Sequence, residues 1–309
     1  MTDQKFRLVT RADFDGVVCG ALLNELAMID DIVFVEPKDM QDGNVPVSDK
    51  DITTNLPYVE SVHLCFDHHV SELERVGSQD NLINDPDAPS AARVVYEHFG
   101  GNDGFPEIST ELMEAVDQAD AAQYTAEDIM APEKWTLLNF IMDPRTGIDR
   151  FKEFAISNDQ LMTDLMTYCR HNPVEEILTL PDVSERVATY NYHAEFAELQ
   201  ISRCSKVHGN LVVTDLRGED LIYTVNRFMV YALYPDCNVS MTIQPGPRSG
   251  VTSIGVGKSI LDRSSNTNVG SLMLEFGGGG HAAAGTCRPD DDQAEDVIAE
   301  LIQRINADG

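Results

Sequence analysis

The chain has 309 residues, 42% of them hydrophobic and 24% charged, enough for one large globular domain or two ordinary ones. Its 52 acidic against 22 basic residues give a formal net charge of −30, which works against a long nucleic-acid duplex, since that affinity comes from Lys and Arg displacing counterions. A short phosphorylated ligand stays open, because bound metal and a few arginines make a local positive pocket; most of the acidity reads as a solvated surface.

The opening Met1-Thr2-Asp3-Gln4-Lys5-Phe6 lacks the basic-then-apolar order of a secretory leader. Residues 6–10 read as a first strand running into Arg11-Ala12-Asp13-Phe14-Asp15-Gly16 and then an apolar helix over 17–23. Asp13 and Asp15, on one strand-to-helix turn, suit a metal ion; alternatively one caps the helix and the other is solvated. Gly16 allows a tight turn and close approach of a phosphate to the helix start. Residues 32–35 form a second strand followed by a polar loop over 37–43, and residues 51–58 a short strand and turn carrying Asn55.

Val62, Leu64 and Phe66 alternate with His63 and Cys65 in a short strand that ends abruptly in Asp67-His68-His69. A carboxylate and two imidazoles there stand where open α/β sheets bind ligands, beyond the strand ends, and all three are metal-ligand types. The other reading is a polar strand exit with His68 capping the next helix. Residues 81–85 give another strand, and Pro89-Ser90 opens a helix through Tyr96. Short strands alternating with helices predict an α/β fold with a mainly parallel sheet flanked by helices.

Helical spacing dominates residues 109–170, with Leu112, Met113, Val116, Asp117, Asp120 and Tyr124 three to four apart. An aspartate beside an apolar face needs a partner, which a metal or simply water supplies. A turn at Asp143-Pro144-Arg145-Thr146-Gly147 breaks the run, and Arg145 is placed either to contact phosphate or to pair with Asp143. Residues 182–205 read as one long helix connecting a domain over 1–181 to a smaller one over 206–309. In the latter, strands at 211–214, 239–243 and 251–256 surround a Pro- and Gly-rich hairpin turn. Gly277-Gly278-Gly279-Gly280-His281 then offers a loop whose amides approach a ligand closely, a flexible linker being the alternative. The six scattered cysteines form no C-x-x-C pair and no segment approaches the roughly 18 apolar residues of a membrane span, so a cytoplasmic protein with reduced thiols is expected.

Residues 10–16, Asp67-His68-His69, the Asp120 region and residues 277–285 together resemble the DHH phosphoesterase superfamily. The likeness covers almost the whole chain. It is nearest to the branch with a C-terminal DHH-associated domain carrying a Gly-Gly-Gly-Gly-His loop, which includes nanoRNA-degrading and pAp-phosphatase enzymes, RecJ exonucleases and exopolyphosphatase-related proteins. The resemblance implies an N-terminal DHH domain, a smaller α/β domain, and an active-site cleft between them. It also implies manganese or magnesium chemistry on a phosphoryl group. Carried over by position, Asp13, Asp15, Asp67, His68 and Asp120 become metal ligands, with Asp117 the alternative to Asp120. His69 becomes a phosphate-facing or supporting imidazole, and Gly278, Gly279, Gly280 and His281, with Arg145, bind substrate.

Two positions depart from the family pattern. Arg11 and Val9 stand where it carries a histidine ligand, and Asn55 stands where it carries a bridging aspartate. Losing an imidazole and a bridging charge while gaining Arg11 disfavours a second dication, so one ion rather than two is expected, held by Asp15, Asn55, His68 and Asp120. Arg11 then takes over charge stabilisation at the phosphoryl oxygens. The substrate expected is a small phosphorylated compound or a very short single strand: a short oligonucleotide, a pAp-like nucleotide or polyphosphate. Homo-oligomerisation is left open. The alternative is a non-catalytic nucleotide-sensing protein that kept the pocket.

Overall fold

The computed structural model describes residues 4–151 and 153–309, so Met1, Thr2 and Asp3 of the segment read for a leader lie outside the described residues. The chain begins β1 (Phe6–Thr10), α1 (Phe14–Glu25), β2 (Ile29–Phe34), α2 (Pro37–Gln41), β3 (Asp51–Thr54), β4 (Leu64–Asp67), α3 (Val70–Val76) and β5 (Leu82–Asn84). Helices follow: α4 (Ala91–His98), α5 (Gly101–Gly104), α6 (Thr110–Asp120), α7 (Ala126–Met130), α8 (Lys134–Met142), α9 (Asn158–His171), α10 (Val174–Ile177) and the 24-residue α11 (Pro181–Cys204). The chain ends with β6 (Ser205–His208), β7 (Leu211–Asp215), α12 (Met229–Leu233), β8 (Val239–Pro245), β9 (Thr252–Lys258), α13 (Val269–Glu275), β10 (Gly279–His281), β11 (Ala284–Cys287) and α14 (Ala294–Asp308). Two compact units result, Met1–Gln123 with Pro132–Thr189 and Tyr124–Ala131 with Tyr190–Gly309.

The first unit holds a five-stranded sheet in the order β2-β1-β3-β4-β5, parallel throughout. The inner strands β1, β3 and β4 are short and largely buried, as expected of a sheet covered by helices, whereas the edge strand β2 carries the exposed Asp30 and Asp31. Helix α1 is buried from Phe14 to Leu23, so it has almost no polar face and lies inside the unit. Gly20 is where α9 reaches it: a Cβ there would stand 2.3 Å from Met166 Sδ. Residues 37–43, expected as a loop, begin with the helix α2, because Pro37 at its first turn has the helical φ and lacks a donor that would go unpaired there. The second strand begins three residues earlier than its apolar run, at Ile29, which pairs with Phe6.

The second unit holds a six-stranded mixed sheet, β10-β11-β9-β8-β7-β6, in which only β7 and β8 pair in parallel. Leu211, Val213, Met241, Ile243, Ile254 and Val256 of the sheet pack against Leu272 and Met273 of α13 and Ile298, Leu301 and Ile305 of α14. The last three recur at helical spacing and give α14 one apolar stripe. The turn over residues 246–251 is closed by Gly246 N–H donating to Val251 O at 2.8 Å, the hairpin its composition predicts. All six cysteines are free thiols. Among the described residues no helix is long and apolar enough to cross a membrane.

Candidate metal and active site

From β1 the chain crosses to β2 on one side, and later strands are added on the other, so the loops after β1 and β3 diverge and open a crevice at the sheet's C-terminal edge. Asp13 and Asp15 follow β1, Asn55 follows β3, and Asp67, His68 and His69 stand at the end of β4. Thr54 Oγ1 donates to Thr10 Oγ1 at 2.7 Å, tying the two strand ends beneath the crevice. Gly16 is required in this turn: a Cβ would lie 2.1 Å from the Arg11 carbonyl oxygen.

One ligand atom each from Asp15, His68 and Asp120 lies within 4.8 Å of the others. Asp15 is 2% exposed, and its two oxygens accept the Ala91 and Ala92 N–H groups at 3.1 and 2.8 Å, the first free donors of α4. Burial foremost, then the charges of Asp120 and Asp13, push the Asp15 carboxyl well above the usual carboxylate range; His68 and the Ala92 N–H pull it back. His68 Nδ1 lies 3.1 Å from Ala88 O, which fixes a proton on that nitrogen and turns Nε2 toward Asp120 Oδ2, 3.0 Å away. Burial lowers the His68 pKa, but the Asp120 contact, the charges of Asp120 and Asp15, and the Ala88 carbonyl outweigh it and raise it to about 9.

The Nε2–Oδ2 approach is short, yet it lacks hydrogen-bond alignment, and Nε2 is a buried nitrogen with no hydrogen-bond partner. Both polar atoms of the Asn55 side chain are likewise buried without a partner. Asn55 holds a left-handed backbone, φ 54°, that asparagine tolerates better than most residues. Leaving a buried polar group unpaired costs about 1–3 kcal/mol, so orphaned atoms at a strand-end crevice are what a ligand site leaves behind. Two carboxylate oxygens and an imidazole nitrogen, with an amide oxygen at the neighbouring strand end, fit a hard or borderline divalent cation such as Mn²⁺ or Mg²⁺.

The remaining predicted residues are otherwise engaged. Asp13 caps α1 by accepting the Gly16 N–H at 3.0 Å and pairs with Arg11 Nε at 3.2 Å. Burial raises its pKa, while the charges of Arg11 and Arg145 and the Gly16 bond hold it down. Asp67 is fully buried; its Oδ1 lies 2.8 Å from His69 Nδ1 and its Oδ2 accepts from Asn84 at 3.4 Å, across the Asp67–Asn84 register of β4 and β5. His69, rather than His68, occupies the N-cap of α3. Arg145 pairs with Asp143 at 2.7 Å, and its field still reaches Asp13. Asp117 faces Ser90 and Arg93, so it is Asp120 that brings a carboxylate oxygen to the cluster with Asp15 and His68. The α4 amides and Asn84 were not legible as site groups: Ala91 and Ala92 carry no polar side chain and lie 76 and 77 residues from Asp15.

In the second unit, residues expected as an open loop form the edge strand β10, with Gly279 opposite Thr286 and Gly280 opposite Gly285. Three of the four glycines have a structural cause. Gly277 has φ 74°; a Cβ on Gly278 would stand 2.1 Å from Thr286 O, and one on Gly280 2.2 Å from Ala284 O. Gly279 alone has an ordinary φ and open space around its Cβ position.

Over 99% of its length and 100% of the other chain, the protein matches the pGpG-specific phosphodiesterase PggH from Vibrio cholerae, at 53% identity and TM-score 0.88. The chain belongs to the DHH superfamily of metal-dependent phosphoesterases. Two more distant structures share the fold: CDC45 from Entamoeba histolytica, at 8% identity and TM-score 0.54 over 98% of this chain and 96% of that one, and an exonuclease RecJ bound to manganese, at 11% and 0.50 over 97% and 90%. No protein-family model and no curated protein matches the sequence. The DHH assignment accounts for the α/β architecture expected from the strand-helix alternation, and it places the chain among hydrolases of phosphoester bonds.

Proposed function

We propose that this protein hydrolyses the internucleotide bond of a short 5′-phosphorylated dinucleotide of the pGpG type, with one divalent cation at Asp15, His68 and Asp120. The observation that carries the reading is the meeting of those three donors in a chain 53% identical to a pGpG-specific phosphodiesterase. A bound cation supplies positive charge that polarises the phosphoryl group and acidifies water. Asp15 is locked by the α4 amides and His68 by Ala88 O, so both are positioned before any ligand arrives. Asp67 fixes the His69 ring through Nδ1, and in this reading His69 Nε2 holds the proton for the departing oxygen. Arg11 and Arg145 add positive charge beside the aspartates for the phosphate oxygens.

A single ion is favoured because Asp13 already serves Arg11 and Gly16 while Asp67 serves His69 and Asn84. Asn55 then presents a neutral amide, its oxygen toward the cation or its nitrogen toward a phosphate oxygen. His281 and Gly279 are assigned to substrate binding by the family resemblance, a role the open space at Gly279 supports.

The test compares turnover of pGpG, pAp, other short dinucleotides and polyphosphate with and without Mn²⁺. Preferred, Mn²⁺-dependent turnover of pGpG is expected. Asp120→Ala should abolish it, and His69→Ala should lower kcat by about 10²- to 10⁴-fold. Metal-independent turnover, or turnover surviving Asp120→Ala, sinks the reading.

A further inference from the structure

We infer that Asp117 is a positioning residue for the metal site, acting through Ser90 and Arg93; this rests on the metal reading of Asp15, His68 and Asp120 given above. Asp117 lies on α6 three residues before Asp120, so both project from neighbouring positions on one side of the helix. Its Oδ1 accepts the Ser90 hydroxyl at 2.7 Å, and its Oδ2 accepts Arg93 Nε at 2.9 Å and an Arg93 terminal nitrogen at 2.5 Å. Ser90, fully buried, is the N-cap of α4, where its oxygen accepts the Arg93 N–H at 3.0 Å. The next two amides of that same turn are the ones that hold Asp15.

One carboxylate therefore joins the helix that presents Asp120 to the helix end that holds Asp15. By accepting the Ser90 proton, Asp117 orients the hydroxyl so that its lone pair meets the Arg93 amide, which keeps the first turn of α4 wound. Arg93 adds a charged, geometrically fixed bond from the same helix. With both oxygens committed, Asp117 is unavailable as a ligand; it sets the spacing between two ligands that reach the site from different elements. Groups one step behind metal ligands typically change affinity by about 10–100-fold when removed.

Calorimetric titration of Mn²⁺ into the full-length protein tests this, with melting temperature measured in parallel. Asp117→Asn has one oxygen where Asp117 has two, so it either keeps the Ser90 acceptor and turns amide hydrogens toward Arg93, or faces Arg93 with a neutral oxygen and loses the Ser90 acceptor; either way it is expected to raise the Mn²⁺ Kd about 10-fold or more. Ser90→Ala is expected to act in the same direction and Ser90→Thr to restore near-wild-type affinity, so the Ser90 pair decides the matter if Asp117→Asn does not fold. The double variant should lose less than the sum of the two single losses, because both act through one network. Lowered melting temperatures with wild-type Mn²⁺ affinity, or strictly additive losses in affinity, overturn the role. Wild-type protein that takes up no Mn²⁺, or takes it up equally well after Asp120→Ala, overturns the metal reading as well; uptake abolished by Asp120→Ala but indifferent to Asp117 and Ser90 overturns this inference alone.

Discussion

At the scale of single residues, the site is built from groups that each do two things. Asp15 caps a helix and faces His68; His68 bonds a carbonyl through one nitrogen and offers the other. In the proposed site a dication would take the unprotonated Nε2, whereas the His68 pKa, lowered by burial but raised to about 9 by Asp120 and Asp15, favours a proton on the ring at neutral pH. Ion uptake must release that proton, so Mn²⁺ affinity should rise about tenfold per pH unit between pH 6 and 8 and level off above about 9. Asp15, also shifted upward, adds to this dependence at the acid end. Calorimetry in buffers of different ionisation enthalpy counts the protons released; a Kd flat over that range refutes it. The sequence made Asp15, His68 and Asp120 candidates from their residue types and placement. It did not separate them from Asp13 and Asp67, because which carboxylate is consumed by a cap or an imidazole depends on neighbours from other strands.

At the scale of elements, the glycine run shows how one motif divides into different duties. Gly278 and Gly280 sit too close to the β11 backbone for any Cβ, and Gly277 needs its positive φ, whereas nothing within the protein requires a glycine at 279. Gly278→Ala and Gly280→Ala should therefore each destabilise the protein by about 1–3 kcal/mol, visible as a lowered melting temperature. Gly279→Ala should leave the melting temperature within about a degree of wild type while raising KM for the dinucleotide. Equal melting losses at all three positions would remove the distinction. The strand-helix alternation, the long helix α11 and the hairpin before β9 were legible because their periodicity and turn residues are local. The edge strand β10 was not, since a Gly-rich segment has no alternating side chains and is a strand only because β11 pairs with it.

At the scale of the whole molecule, the net charge of −30 acts on everything the protein does. Like charges on a compact surface repel, and salt screens them over a Debye length of about 10 Å at 0.1 M. The melting temperature should therefore climb by several degrees between 0.02 and 0.5 M NaCl, and KM for an anionic dinucleotide should not rise over the same interval. A falling melting temperature would show that local ion pairs outweigh the global repulsion. The sequence by itself determined the α/β class, the parallel first sheet and the DHH character, because short apolar strands, helical periodicity and contiguous motifs are written in neighbouring residues. Only the tertiary structure decided which three donors converge, that two alanine amides hold one of them, and that both Asp117 oxygens accept from Ser90 and Arg93. Those are contacts between residues dozens of positions apart, and the chain reveals them only once the sheet has brought its strand ends to one edge.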